Sequence, residues 1–205
     1  MKIAVIGGTG MVGSRIVAEA ASRGHQVTAV SRKGDAPQSS NIAALKADVA
    51  DLAAMQELAA THDVIVSAVG PSRELGGDPS TFAATLVDLA TAVSKTRLIV
   101  VGGAGSLFAA PGVRLLDTPE FPEVYKAEAL AGAASLEALK ELPDAGEWSY
   151  LSPAPMIAPG ERTGRYTEAD YAPAGDTISA EDYAVALVDE IEKPAHTGRR
   201  FTVAN

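Results

Sequence analysis

Short runs of β-branched and other apolar residues alternate along this chain with longer alanine-rich helical stretches, the order expected of βαβ units around a parallel sheet. Ile3–Ile6, Gln26–Val30, Val64–Val69 and Leu98–Val101 predict strands, and Ile42–Ala47 predicts a weaker one. Three of the four clear runs do not alternate polar with apolar, as befits strands covered on both faces. Helices are predicted over Met11–Arg23, Leu52–Ala60, Ser80–Ser94, near Tyr125–Glu141, and from a Ser179 cap to about Glu192. Arg23-Gly24 is a stop signal for the first, and Ser179 with Asp182 is a loose capping box for the last. Trp148–Leu151 reads as a strand that runs into the proline-rich Ser152–Met156, and Phe201–Val203 as a closing strand. The expectation is an α/β fold: one doubly wound, mostly parallel Rossmann sheet with helices on both faces, its strand order reversing after the third strand. Residues 1–205 then form a single domain, with 1–105 mainly on the cofactor side and 106–205 on the substrate side. Ligands of such sheets bind beyond the carboxyl ends of the strands, so chemistry belongs to the loops starting at residues 7, 31, 48, 69, 102 and 152.

The first of those loops, Gly7-Gly8-Thr9-Gly10-Met11-Val12-Gly13, follows a strand and opens a helix. Gly8, Gly10 and Gly13 fit one dinucleotide fingerprint, and Gly7, Gly10 and Gly13 fit another. Glycine is needed because the backbone must turn sharply, approach a pyrophosphate, and seat the helix closely on its strand. The helix N-terminus then offers N–H groups and partial positive charge to phosphate. At the end of the second strand comes Ser31-Arg32-Lys33, with no carboxylate before Asp35. A 2′-phosphate suits the Arg32 guanidinium and the Lys33 ammonium, which favours NADPH over NADH. In the alternative, Arg32 and Lys33 are a solvated turn and Asp35 serves NADH.

Charge and composition narrow the partners. The chain has 205 residues, 47% of them hydrophobic, and no cysteine, which excludes disulfides, thiolate metal sites and a cysteine nucleophile. The net charge is −9, and all of the excess lies in residues 101–205, which hold 17 Asp/Glu against eight Lys/Arg. Such a protein is expected to bind neither nucleic acid nor an anionic membrane. The N-terminal apolar run meets Gly7-Gly8 too early for a signal peptide, and no segment approaches a membrane span, so a cytoplasmic location is expected.

At these motifs the sequence resembles the atypical short-chain dehydrogenase/reductases, in the NAD(P)H-binding branch that takes its name from NADH-flavin reductase and is similar to the flavin reductase/biliverdin reductase type. The likeness is carried by residues 1–13, Lys46-Ala47-Asp48-Val49, 63–71, Val101-Gly102-Gly103-Ala104-Gly105-Ser106-Leu107, 117–128, 151–164 and 178–192. It implies that Asp48 and Val49 flank an adenine and that Ala68, Val69 and Gly70 lie beneath its ribose. It also implies that Gly102–Ser106, Gly103 among them, wall the nicotinamide and that Pro153–Met156 cover its other edge. For Asp48 a second reading stays open, as a cap of the helix that follows.

Most short-chain dehydrogenases use a Tyr-x-x-x-Lys pair to move a proton to a carbonyl. Four residues after Tyr125, Tyr150, Tyr166, Tyr171 and Tyr183 stand Ala129, Ala154, Asp170, Gly175 and Leu187, so the pair is missing. Hydride transfer to a flavin or quinone asks less, because the acceptor is already electrophilic. The expected activity is NAD(P)H-dependent reduction of a small planar acceptor, with flavin as a substrate rather than a bound group. Ser106 is the first candidate for a catalytic contact. Tyr125 is the second, with packing at a helix start as its alternative. The other function class is a non-catalytic, redox-sensing NAD(P)H-binding module that acts on a protein partner. His25, His62 and His196 are scattered and read as surface or loop residues, and no metal site is expected. The irregular segment 159–176 reads as a substrate lid, with Arg162 and Arg165 solvated or, in the alternative, meeting an anionic acceptor such as the phosphate of FMN. Oligomeric state, monomer or homodimer, stays open.

Overall fold

The computed structural model describes residues 1–37, 39–71 and 79–205. In chain order the parallel framework comprises β1 (Lys2–Ile6), α1 (Met11–Ser22), β2 (Gln26–Ser31), β3 (Ile42–Lys46), α2 (Leu52–Thr61), β4 (Val64–Ser67), α3 (Phe82–Ala92) and β5 (Arg97–Val101). Then come the hairpin strands β6 (Phe108–Ala110) and β7 (Val113–Arg114), α4 (Lys126–Glu141), β8 (Trp148–Pro153), β9 (Met156–Ala158), β10 (Thr167–Ala169), β11 (Thr177–Ser179), α5 (Ala180–Glu192) and β12 (Arg199–Ala204). The main sheet of the described residues runs β10-β12-β8-β5-β4-β1-β2-β3. All its pairings are parallel except that of β10, which lies antiparallel on β12. The order reverses between β3 and β4, as the sequence predicts, because β1 sits at the middle and the chain leaves it first to one side and then to the other.

Residue alternation sorts the strands' side chains onto two faces. Ile3, Val5, Val27, Val66, Ile99, Leu151, Phe201 and Val203 join Ile16 and Val17 of α1 and Tyr183, Leu187 and Ile191 of α5 in one core. Ala4, Ile6, Val30, Ile65, Leu98, Val100, Trp148 and Tyr150 join Met55 and Leu58 of α2, Leu86 and Leu89 of α3, and Leu136 and Leu139 of α4 in the other. Each buried Leu, Ile or Val contributes roughly 1.5–3 kcal/mol, so the two faces together set the fold, and local propensity follows them.

Polar bonds fix the layers at the ends of the strands. Glu190 of α5 is buried and takes Arg97 Nη2 at 2.6 Å, Ser149 Oγ at 2.9 Å and His196 Nδ1 at 2.9 Å. It also accepts the backbone N–H groups of Ala195 and His196, both at 3.1 Å. His196 is buried and stacked on Phe201 with ring centroids 3.8 Å apart, and His25 is buried and bonded to Glu192, so these two histidines sit in loops, as the sequence suggests, but are not surface groups. The segment 159–166 departs from expectation in the same way. Arg162 donates two bonds, 2.7 and 2.8 Å, to the buried Glu19 of α1, and Asp182 binds Thr163 Oγ1 and the Gly164 N–H. Arg162 is therefore spent on strapping this segment across α1 and α5, and is not poised for an acceptor.

Burial pushes the Glu190 carboxyl up, but the donors around it win and hold its pKa below the ordinary glutamate value. A carboxyl whose folded pKa is depressed stabilises the fold fully above its unfolded value, about 4.3, and less as pH falls through the folded one. Urea titration of Glu190→Ala at neutral pH should show a loss of about 3–5 kcal/mol, because Arg97 is left buried without its anion. Glu190→Gln should lose less, and its midpoint should fall less than the wild type's as pH drops below about 4.

Candidate cofactor and acceptor site

The turn after β1 is shaped by backbone bonds. Gly7 and Gly8 N–H both donate to Val30 O, at 2.9 and 3.1 Å, and Gly10 N–H donates to Gly7 O at 3.0 Å. Gly7 has φ +80°, and a Cβ on it would lie 2.7 Å from Ala68 O. A Cβ on Gly13 would lie 2.1 Å from Gly7 O, so α1 reaches β1 this closely only without a side chain. The spacing that does the structural work is thus Gly7-x-x-Gly10-x-x-Gly13, with Gly8 packed beneath on Ala29. Gly10 caps α1 with no side-chain bond, and no acidic residue stands in the first turn. Met11, Val12 and Gly13 hold first-turn N–H groups, which an α-helix leaves without internal acceptors. This bare N-terminus, with exposed Thr9 and Gly10 beside it, fits a pyrophosphate.

The neighbouring strand ends supply the rest. Ser31 Oγ accepts the Gly34 N–H at 2.9 Å and bends the chain after β2, where Arg32 and Lys33 are exposed. Asp48 Oδ1 accepts Ala50 N–H at 3.0 Å, whereas the cap of α2 is Asp51, bonded to Ala54 N–H at 3.1 Å. Val49 and Val69 pack partly buried on the core that contains Val30. Ala68 adjoins Gly7, and Gly70 is exposed beyond it. The structure therefore gathers the glycine turn, the Arg32-Lys33 turn, Asp48-Val49 and Ala68–Gly70 along one edge of the sheet. Gly103 is exposed after β5, with room for a Cβ, and Pro153 is buried at the end of β8. A hollow bounded by Met1, Lys2, Gln26, His62 and Asp63 lies at the opposite edge.

The two catalytic candidates are placed differently. Ser106 is buried, and both its carbonyl and its Oγ accept from Arg200 Nη1, at 2.8 and 3.1 Å. Tyr125 is 56% exposed at the head of α4, and among the described residues no hydrogen bond joins it to Ser106. Ala129, four residues on, packs against the loop: a Cβ on Gly105 would stand 2.7 Å from Ala129 Cβ. The place of a proton-relay lysine is filled by this contact. Tyr150 and Tyr183 are buried, and burial pushes both phenols up, so neither supplies a phenolate base.

Arg200 and Tyr150 are the residues that the sequence reading missed. A Cβ on Gly102 would lie 2.0 Å from Tyr150 Cε1, so the Tyr150 ring dictates that glycine. Arg200 pairs with Tyr150 across β12 and β8, and its charge beside Phe201-Thr202-Val203 was the available signal.

Comparison with known proteins agrees with this geometry. The family model described as NAD(P)H-binding matches residues 7–194. A Bacillus subtilis (strain 168) protein, YwnB, named as uncharacterized, is 39% identical over all of this chain and 99% of its own. A Burkholderia pseudomallei structure named "putative exported protein" is 44% identical with TM-score 0.85, covering 100% of both chains. A Streptococcus pneumoniae TIGR4 structure named "putative NADH-flavin reductase" is 35% identical with TM-score 0.85, covering 100% of this chain and 99% of that one. With its glycine turn, its reversing sheet and a match that spans nearly its whole length, this chain belongs to the NAD(P)H-binding family.

Proposed function

We propose that the protein is an NADPH-dependent reductase of a small planar conjugated acceptor, a free flavin or a quinone. The observation that carries this reading is Ala129 packed on Gly105: a fold that holds a nicotinamide cofactor lacks the lysine that ketone reduction would need. The name of the S. pneumoniae relative supports the same reaction class.

When bound, the cofactor would supply a hydride to the acceptor. The chain's own residues do the holding. Gly7, Gly10 and Gly13 admit the pyrophosphate, and the N-terminus of α1 binds it. Arg32 and Lys33 favour a 2′-phosphate, Asp48 and Val49 flank the adenine, and Ala68–Gly70 support the ribose. Gly103 and Pro153 bound the nicotinamide, Ser106 makes the polar contact to the acceptor beside it, and exposed Tyr125 covers the acceptor. Among the described residues no helix is long and apolar enough to cross a membrane. We place the protein in the cytoplasm, where NADPH is regenerated. Recovery in the periplasmic fraction, as the name of the B. pseudomallei relative would suggest, overturns that placement.

Purified protein mixed with NADPH and FMN, FAD, riboflavin or menadione should oxidise the cofactor faster than the protein-free mixture. Cofactor binding with no acceleration by any of them refutes the reductase reading and leaves a ligand-sensing module in its place. In a fluorescence titration, Arg32→Glu should weaken NADPH binding at least about tenfold more than NADH binding, and equal losses would count against the 2′-phosphate assignment. Gly13→Ala should lower stability by roughly 1–3 kcal/mol, since backbone must move to admit the methyl, and abolish binding of either cofactor. Gly103→Ala, whose Cβ meets nothing within 4 Å, should leave the melting temperature unchanged and raise the cofactor KM.

A further inference from the structure

Arg200 is a buried cation without an anion. It is 5% exposed, and among the described residues no carboxylate forms an ion pair with it. Its guanidinium carbon lies 5.8 Å from the centroid of Phe108 and 5.7 Å from that of Tyr171, so aromatic faces take the place of a counter-ion. Nη1 is used on Ser106, and Nε is buried with no partner. Burial pulls the guanidinium's pKa down, which Tyr150, Glu137 and Tyr171 offset only in part. Arg97, the other buried arginine, shows the contrast, with Glu190 at 2.6 Å.

The bond to Ser106 has a direction. A guanidinium only donates, so the Ser106 oxygen accepts, and its own hydrogen must point elsewhere. Among the described residues no group accepts it. Ser152, two residues beyond Tyr150 and so on the same side of β8, is fully buried, and its Oγ also has no partner. One polar patch of the sheet thus holds an arginine short of negative charge and two hydroxyls short of acceptors. It lies under a loop pinned by Gly105 against Ala129 and by Phe108 N–H on Tyr171 O at 2.8 Å.

We propose that Arg200, acting through Ser106, stabilises an anionic oxygen on the bound acceptor, which makes quinones and other acceptors that become phenolates or enolates on reduction the preferred substrate class. This rests on the reductase reading given above. A quinone that gains a hydride, two electrons and one proton, becomes a hydroquinone monoanion while the nicotinamide is oxidised to its cation. The charge appears on oxygen, and water supplies the last proton. Ser106 meets that oxygen, and buried Arg200 is a positioning residue that polarises the serine hydroxyl.

The test uses 4-nitrophenol, whose bound ionised fraction is read from its absorbance, beside the neutral isostere 4-nitroanisole, each with saturating NADP+. Wild-type protein should prefer the phenolate, and bound nitrophenol should ionise below its ordinary pKa. Arg200→Met and Ser106→Ala should each lose that preference by roughly tenfold to a hundredfold, while Arg200→Lys keeps most of it. Ser106→Ala leaves Arg200 in place and serves if Arg200→Met does not fold. A merely structural arginine would affect both probes alike. Equal binding of the two probes, binding of neither, or a preference that survives Arg200→Met overturns the proposal even if menadione is reduced. An Arg200-dependent preference in a protein that reduces no acceptor keeps this site and removes the reductase reading.

Discussion

Everything at the carboxyl edge of the sheet depends on how closely α1 lies on β1. That approach is set by one missing atom, since a Cβ at Gly13 would be 2.1 Å from the Gly7 carbonyl oxygen. The contact fixes the height of the helix above the strand. It also sets the first-turn N–H groups of α1 at the carboxyl ends of the parallel neighbours β1 and β4, where Gly7 meets Ala68. Because β1 is central and has parallel neighbours on both sides, an error in this seating would spread to β2 through the Val30 carbonyl, which accepts from Gly7 and Gly8. The same residues that open a space for phosphate therefore hold the sheet in register.

Around that centre, charge is used mainly as mortar. Glu19 of α1 receives Arg23 and Arg162, Arg23 continues to Asp189 and Glu192 of α5, and Arg15 reaches Glu181. Single exposed pairs of this kind are worth about 0–1 kcal/mol, but Glu19 is 5% exposed and takes two guanidinium groups, so its removal would strand both. The network fastens α1, which carries the cofactor turn, to α5 and to the segment 159–166. The first part, 159–166, of the segment that reads in the sequence as a substrate lid is a clasp between helices.

The framework was legible because it rests on local signals. Strand and helix order, the cap at Ser179, the stop at Gly24 and the glycine turn follow from neighbours within a few residues, and the observed elements match them to within a residue or two at most ends. What was not legible depends on partners far apart in the chain. Arg200 bonds Ser106 across 94 residues, Arg162 bonds Glu19 across 143, and Asp182, whose N–H is capped by Ser179 as the sequence predicts, turns its carboxylate to Thr163. His196 is a loop histidine whose burial shows only once Glu190 and Phe201 are seen beside it. The short strands β6, β7, β9, β10 and β11 lacked enough residues to show a period. Their pairing is settled by the sheets and loops they meet, as when β10 closes the edge at β12.

The distribution of charge acquires its sense from this arrangement. Residues 101–205 carry the whole acidic excess, yet several of those carboxylates, Asp189, Glu190, Glu192 and Glu181, serve arginines and histidines of the scaffold. Arg200 stands in that same acidic half and receives none of them. A carboxylate beside it would have lowered the cost of its burial at once, by several kcal/mol for an unpaired ion in the interior. Aromatic rings and a serine were placed there instead, and they compensate the cation only partly. A cation kept short of charge in the half of the molecule richest in anions is a group whose missing partner comes from outside the chain.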